Sequence, residues 1–329
     1  MKIVIVKLSS LGDIVHSMVV LQFIKKHYPE SVIDWVVEKR FKGILENNPH
    51  INQIHTVNLH KIKSNKSLKL LFTEVFKAKK FGNYDVVIDL QGLIKSAIVT
   101  LFIDSRKKVG FDKHSSRERI SSYFYNQKVS IGYEKNTIER YVKLISEALS
   151  IKITKDDLIN KELYLFSKSK LLIPQTPYIV FVIGSTWESR IYPKEKFAQV
   201  ANAIKKDCLV IWGTEQEKEK AEWMSSESNY IQVMPKLSLD DLKHIIEHSS
   251  LLIGNDSGPS HMSWALNIPS IILFGPTPIE RAFQTPINTV LSSNSKINHY
   301  KLDKNDFSIK EIKVSDVVKI AKELLGVSL

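Results

Sequence analysis

Short apolar runs that end in polar turns, each followed by a stretch of helical periodicity, recur along this chain in two successive sets. That alternation constrains the fold more than any other feature. In the first set the runs are Ile3 to Val6, Val32 to Val37, Ile54 to Val57, Val86 to Leu90 and Val109 to Phe111. Helical stretches fill the gaps at Val15 to His27, Phe41 to Asn47, Leu68 to Lys79, Leu93 to Phe102 and Thr137 to Leu149. The second set has runs at Tyr178 to Ile183, Cys208 to Trp212, Ile231 to Val233, Leu251 to Ile253 and Ser270 to Phe274. Its helical stretches lie near Lys194 to Lys205, Glu215 to Ser225, Leu239 to His248, Ser260 to Leu266 and Val314 to Leu325. Such alternation predicts an α/β fold of doubly wound, Rossmann-like parallel sheets. The length, 329 residues with 43% hydrophobic content, suits two cores rather than one. Between the sets, Leu163 to Pro177 turns from apolar to Ser/Lys-rich and ends in Pro174-Gln175-Thr176-Pro177, which breaks regular structure. We therefore expect one domain over residues 1–167, a linker over 168–177 and a second domain over 178–329, whose C-terminal helix is a candidate to pack back on the first.

Charge separates the two halves. Residues 1–165 hold 28 Lys plus Arg against 17 Asp plus Glu, a net of +11, while the remainder hold 19 against 18, a net of +1. Seven lysines and one glutamate fall between Lys61 and Lys80 alone. A field of this sign suits the phosphates of a nucleic acid, an anionic lipid or an acidic sugar; a solvated helix face explains single lysines but not the asymmetry. The lone cysteine, Cys208, sits in an apolar run and reads as core, which excludes an intrachain disulfide framework. His244 and His248 share a helix face without a third ligand at sensible spacing and read as solvated rather than metal-bound. No apolar stretch approaches the roughly 18 residues of a membrane span and no cleavable leader is visible, so a cytoplasmic location is expected.

The chemistry-bearing residues collect in the turns that follow strands, where open α/β sheets place their ligands. The first is Lys7-Leu8-Ser9-Ser10-Leu11-Gly12-Asp13, which sets Asp13 at an expected active-site edge. His16, one helical turn on, reads equally as a ligand contact or as a satisfied helix histidine. Asp89-Leu90-Gln91-Gly92-Leu93-Ile94-Lys95-Ser96 repeats the same topography. In the second half, Gly254-Asn255-Asp256-Ser257-Gly258-Pro259-Ser260-His261 follows a strand and precedes a helix. Its small residues and helix-start N–H groups suit a diphosphate, although an N-cap and turn account for part of the pattern. Gly184 to Pro193 offers hydroxyls and Arg190 past another strand, and Glu215 stands where an acid can bind ribose hydroxyls or simply face a helix dipole.

These segments resemble the ADP-heptose:lipopolysaccharide heptosyltransferases, inverting enzymes of the GT-B fold with two Rossmann-like domains facing across a cleft. Lys7, Ser9, Ser10, Gly12 and Asp13 match a KxSSxGD turn; Asp256, Ser257, Gly258 and His261 match a D-[ST]-G-x-x-H signature; Asp89, Gln91, Gly92, Lys95 and Ser96 match a D-x-Q-G-x-x-K-S stretch. The resemblance implies that Asp13 is the catalytic base. It implies a donor site of Ser185, Thr186, Arg190, Glu215, Asp256, Ser257, Gly258 and His261. An acceptor site of Ser10, Gly12, His16, Lys61, Lys63, Gln91, Lys95 and Arg117 follows likewise. Arg190 stands where the family carries lysine, exchanging a point charge for a planar fork. Lys61 and Lys63 stand for family arginines and lose a bidentate grip.

The implied donor is ADP-heptose. The implied acceptor is Kdo-lipid A, because the likeness is closest to members that add the first heptose to the Kdo sugar of the lipopolysaccharide inner core. The positive first half then fits an anionic membrane surface at the inner face of the inner membrane. No cofactor and no metal are expected, since Asp-x-Asp occurs nowhere in the chain. An oxidoreductase would need G-x-G-x-x-G after the first strand, which is absent. No nucleic acid is expected as partner, because no RNA- or DNA-binding module is recognisable. A heptosyltransferase acting later in the core and a GT-B nucleotide-sugar epimerase stand as alternatives.

Overall fold

A computed structural model describes residues 1–59 and 73–326. The chain divides into two compact units, Met1–Tyr164 and Leu165–Leu329. The division falls just before the stretch 168–177 expected to be the linker.

In the first unit, six strands form one sheet in the order β3-β2-β1-β4-β5-β6, every neighbouring pair parallel. They are β1 Lys2–Val6, β2 Val32–Glu38, β3 Gln53–Val57, β4 Asn83–Asp89, β5 Asp104–Phe111 and β6 Gln127–Val129. The helices that matter below are α1 Leu11–Met18, α2 Val20–His27, α3 Lys42–Leu45, α4 Ile94–Phe102 and α5 Thr137–Leu149. Ile3, Val4, Ile5 and Val6 of β1 are fully buried. An unbroken apolar run rather than an alternating one is what a central parallel strand covered on both faces requires. The strand order turns back on itself between β1 and β4, the switch point at which such sheets open a crevice beyond the carboxyl ends of their strands.

The second unit repeats the plan. Its sheet runs β12-β11-β10-β7-β8-β9, again all parallel. The strands are β7 Ile179–Val182, β8 Cys208–Ile211, β9 Ile231–Val233, β10 Leu251–Asn255, β11 Ser270–Phe274 and β12 Asn288–Ser292. After the short helix α6 Lys155–Ile159 of the first unit, its helices include α7 Lys194–Ile204, α8 Glu215–Glu227, α9 Leu239–Glu247, α10 Met262–Ala265 and α11 Val314–Leu324. Phe181, Val210, Ile253 and Leu273 from four adjacent strands join Phe197 of α7 and Val317 of α11 in one core cluster. The C-terminal helix thus packs on α7 and β11 within its own unit. The switch point lies between β7 and β10.

The structure departs from the sequence expectation in several places. The helix expected over Val15 to His27 is interrupted at Val19, next to Ser17, whose hydroxyl donates back to the Ile14 carbonyl at 2.8 Å and competes with the helical ladder. Two edge strands, β6 and β12, carry too little apolar alternation to register as strands. The helix expected over Leu68 to Lys79 lies in part outside the described residues, and its end, Lys77–Lys80, is a 3-10 turn.

Candidate active site

In the first unit the turns after β1 and β4 flank the switch point and are tied to each other. Gln91 does most of the tying. Its Oε1 accepts from the amides of Leu8 at 2.7 Å and Ser9 at 3.2 Å, and its Nε2 donates to Ser9 Oγ at 3.2 Å. Lys95, from the first turn of α4, donates to the same Ser9 Oγ at 2.7 Å. Beneath them the buried Asp89 closes its own turn, with Oδ1 accepting from the amides of Gln91 and Gly92 at 2.8 and 3.3 Å and Oδ2 accepting from Tyr125 Oη at 2.7 Å. Burial pushes the Asp89 carboxyl above its ordinary pKa, and those hydrogen bonds oppose the shift. Gly92 carries φ +65°, and a Cβ there would stand 3.1 Å from the Phe111 ring, so the turn needs glycine.

Asp13 is the third residue of α1 and sits at the crevice edge. One carboxylate oxygen accepts from the Ser10 amide at 3.1 Å and from Ser10 Oγ at 2.7 Å, so the side chain also caps the helix. The other oxygen accepts from Tyr141 Oη at 3.4 Å, and Tyr141 Oη in turn accepts from Lys7 Nζ at 2.7 Å. Lys7 is buried and its ammonium also lies 3.4 Å from the Leu90 carbonyl. Burial pushes the Lys7 amine below its ordinary pKa, while Asp13 and Asp89 pull it back up. A chain of donors therefore runs Lys7 to Tyr141 to Asp13, and it fixes where the carboxylate points.

In the second unit the corresponding turns after β7 and β10 meet through an ion pair. Arg190 pairs with the Asp256 carboxylate and also donates to the Asp256 carbonyl oxygen. The carboxylate further accepts from His261 Nε2 at 3.0 Å and from Thr277 Oγ1 at 2.8 Å. Burial alone would raise the Asp256 pKa, but Arg190, His261 and Arg281 outweigh it and hold the carboxyl far below the carboxylate range. Asn255, wholly buried, donates to the Ile183 carbonyl at 2.7 Å and accepts from the Tyr192 amide at 2.9 Å, fixing the 184–192 loop to the tip of β10. At Gly254 a Cβ would meet Val182 Cβ and Ser260 Oγ, each at 2.6 Å, which is why the residue before Asn255 carries no side chain. The result is a rigid frame bearing cationic and hydroxyl groups, suited to an anion.

A match to the model of glycosyltransferase family 9 (heptosyltransferase) covers residues 73–310, well over half the chain. The chain belongs to glycosyltransferase family 9. It is 41% identical to a lipopolysaccharide heptosyltransferase 1 from Campylobacter coli, over 99% of each sequence. A protein of the same description from Pseudomonas aeruginosa is 29% identical over 84% of this chain and 79% of its own. The solved structure of E. coli heptosyltransferase WaaC with ADP-2-deoxy-2-fluoro heptose has a TM-score of 0.81, covering 98% of this chain and 99% of the other at 24% identity. At that identity the likeness establishes the shared GT-B fold. As a family 9 member the protein is a glycosyltransferase.

For this family 9 chain the structure distributes the anticipated residues unevenly. It brings Ser10, Gly12, Asp13, Gln91 and Lys95 to one crevice in the first unit. Arg190, Asp256 and His261 share one cluster in the second, with Ser185 Oγ 3.4 Å from the Asp256 carbonyl, Thr186 exposed and Ser257 and Gly258 half-buried beside it. His16 is buried within α1. Arg117 is exposed, next to Glu118, whose carboxylate accepts from the Ile94 amide at 2.7 Å. Lys61 and Lys63 lie outside the described residues.

One reading needs physical revision. The helix behind Asp256 is a single turn, Met262–Ala265, too short for its dipole to attract an anion; the positive charge there comes from Arg190 and Arg281. Glu215 stands exposed at the first position of α8, and Glu217 rather than Glu215 folds back, accepting from the amides of Gly213 at 2.7 Å and Thr214 at 3.3 Å. The Thr214-x-x-Glu217 spacing is a capping-box signature that the sequence already carries. Tyr141, Thr277 and Asn255 escaped sequence reasoning because their partners lie 21 to 134 residues away. Among the described residues no group of three or more His, Cys, Asp or Glu side chains gathers as a metal site.

Proposed function

We propose that this glycosyltransferase moves L-glycero-D-manno-heptose from ADP-heptose to the Kdo residue of Kdo-lipid A, with inversion and without a metal. The observation that carries the reading is the 41% identity, end to end, with a lipopolysaccharide heptosyltransferase 1. The crevice chemistry supports it. The acceptor hydroxyl oxygen attacks the anomeric carbon, the bond from that carbon to the β-phosphate oxygen breaks, and Asp13 takes the hydroxyl proton. Ser10 and Tyr141 hold the carboxylate in register for that step, and the buried Lys7 holds the Tyr141 hydroxyl in turn. In the second unit Arg190, with the turn at Ser257 and Gly258, neutralises the departing ADP. His261 orients the Asp256 carboxylate that in turn positions Arg190.

The acceptor is lipid-borne and anionic, which fits the +11 charge of residues 1–165 and an approach to the cytoplasmic leaflet. Among the described residues no helix is long and apolar enough to cross a membrane, so contact with the lipid is assigned to the surface. A mass-spectrometric transfer assay tests the whole reading. Kdo-lipid A should gain one heptose from ADP-heptose, with an unchanged rate in EDTA. ADP-glucose as donor or heptosylated core as acceptor should react at least a hundredfold more slowly. Preference for heptosylated core would assign the chain to a later step.

A further inference from the structure

Three neighbouring pieces of the first unit leave large apolar side chains in water where a monomeric fold would bury them or replace them. On α4, Ile98 and Phe102 are partly buried against the core, while Leu101 between them is 47% exposed. The 3-10 segment Arg119–Phe124 packs along α4 and presents Ile120 at 59% and Tyr123 at 78% exposure. On the other flank Phe76, 44% exposed, leans on Phe102 in a tilted contact with ring centroids 4.9 Å apart. Scattered apolar residues on a surface mean little, but four on adjoining elements form a patch.

The cations interleave with these rings. Lys79 Nζ lies 5.1 Å from the Phe76 ring and 5.5 Å from the Phe102 ring, and Lys128 Nζ lies 6.0 Å from Tyr123. Lys108 donates to the Leu101 carbonyl at 2.6 Å, and Lys77, Lys80 and Arg119 stand alongside. The acids at the rim are Glu118, engaged with the Ile94 amide, Glu74, engaged with Lys77, and Asp104.

We propose that this face, Phe76, Leu101, Ile120 and Tyr123 framed by Lys79, Lys108 and Lys128, docks on an anionic phospholipid bilayer. Rings and branched chains enter the headgroup region while the lysines meet lipid phosphates. The inference rests on the reading that the acceptor is lipid-borne and deepens it by assigning the surface that reaches the lipid. Charge complementarity selects this occupant, since the patch belongs to the half of the chain that carries nearly all its excess charge. Geometry gives it a use. Lys95, which holds Ser9 in the acceptor crevice, is six residues before Leu101 on the same helix, about 9 Å along the axis at 1.5 Å per residue. A patch at that distance along the helix keeps the crevice within reach of sugars attached directly to lipid.

Co-sedimentation of the full chain with phosphatidylglycerol/phosphatidylcholine vesicles, and with pure phosphatidylcholine, tests the proposal. The triple variant Leu101→Ser, Ile120→Ser, Tyr123→Ser should lose at least tenfold in partitioning to the anionic vesicles, and Lys128→Glu should lose about fivefold or more. Both should keep the wild-type thermal midpoint and the wild-type rate on a deacylated, water-soluble Kdo acceptor, while transfer to Kdo-lipid A in vesicles falls in proportion to binding. Unchanged vesicle partitioning in the triple variant would overturn the proposal, and so would a concentration-dependent dimer of the wild type that the variant abolishes. Patch-dependent vesicle binding by a chain that heptosylates neither acceptor would support the docking face while refuting the heptosyl-transfer reading.

Discussion

Replacing Asp256 by Asn tests the second unit's frame most sharply, because the change is nearly isosteric and removes one charge. In the wild type the carboxylate is buried and surrounded by Arg190, His261 and Thr277. Breaking one member of a buried pair leaves the other charge uncompensated, at a cost of about 3–5 kcal/mol. The Asn oxygen still accepts one of the hydrogen bonds and Arg190 keeps the Asp256 carbonyl, which places the cost near the lower end, about 3 kcal/mol. For a unit of this size each kcal/mol moves the midpoint by about 2–4 °C, so calorimetry at neutral pH should record a fall of about 9 °C. A pH signature accompanies it. The folded-state pKa of Asp256 is depressed, so its stabilising contribution is complete above the unfolded value of 3.8 and is lost as pH falls through the folded value. The gap between wild type and Asp256→Asn in urea titrations should therefore be constant above about pH 5 and shrink as pH is lowered below 4. A midpoint within about 2 °C of wild type at neutral pH, or a gap that widens in acid, would refute the assignment of a stabilising ion pair.

Two further outcomes follow from the same geometry. Gly254→Ala drives a methyl group to within 2.6 Å of both Val182 Cβ and Ser260 Oγ, and overpacking of this kind should lower stability by about 1–3 kcal/mol by denaturant titration. Tyr141→Phe removes the oxygen that accepts from Lys7 and donates to Asp13, which should lower stability by about 2 kcal/mol and reduce kcat about tenfold while the KM for donor stays within twofold, read from steady-state transfer.

The sequence made the sheets and their switch points readable because buried parallel strands write themselves as unbroken apolar runs, as Ile3 to Val6 and Leu251 to Ile253 do. The turns at Asp13, Asp89 and Asp256 were equally legible, since small and acidic residues past such runs have few other uses. What the chain order hid were partners brought in from other elements. Nothing near residue 141 announces a tyrosine that bonds Lys7 and Asp13, and Thr277 meets Asp256 only because β10 and β11 pair in register. Some local signals carry two meanings at once. Ser10-x-x-Asp13 and Thr214-x-x-Glu217 both carry the spacing of a capping box, and the first gives Asp13 a structural duty beside its proposed chemical one.

That double duty decides how the central claim must be tested. Asp13→Ala would lose the cap and the base together, whereas Asp13→Asn keeps an oxygen that can accept from the Ser10 amide and gives up the basicity, the charge and the second oxygen that accepts from Tyr141. The decisive measurement is the single-turnover rate of heptose transfer from ADP-heptose to Kdo-lipid A by Asp13→Asn, set beside its calorimetric affinity for ADP. A rate lowered at least a thousandfold, with ADP affinity within about threefold of wild type, is the result expected if Asp13 takes the proton. Transfer within tenfold of wild type would contradict the account.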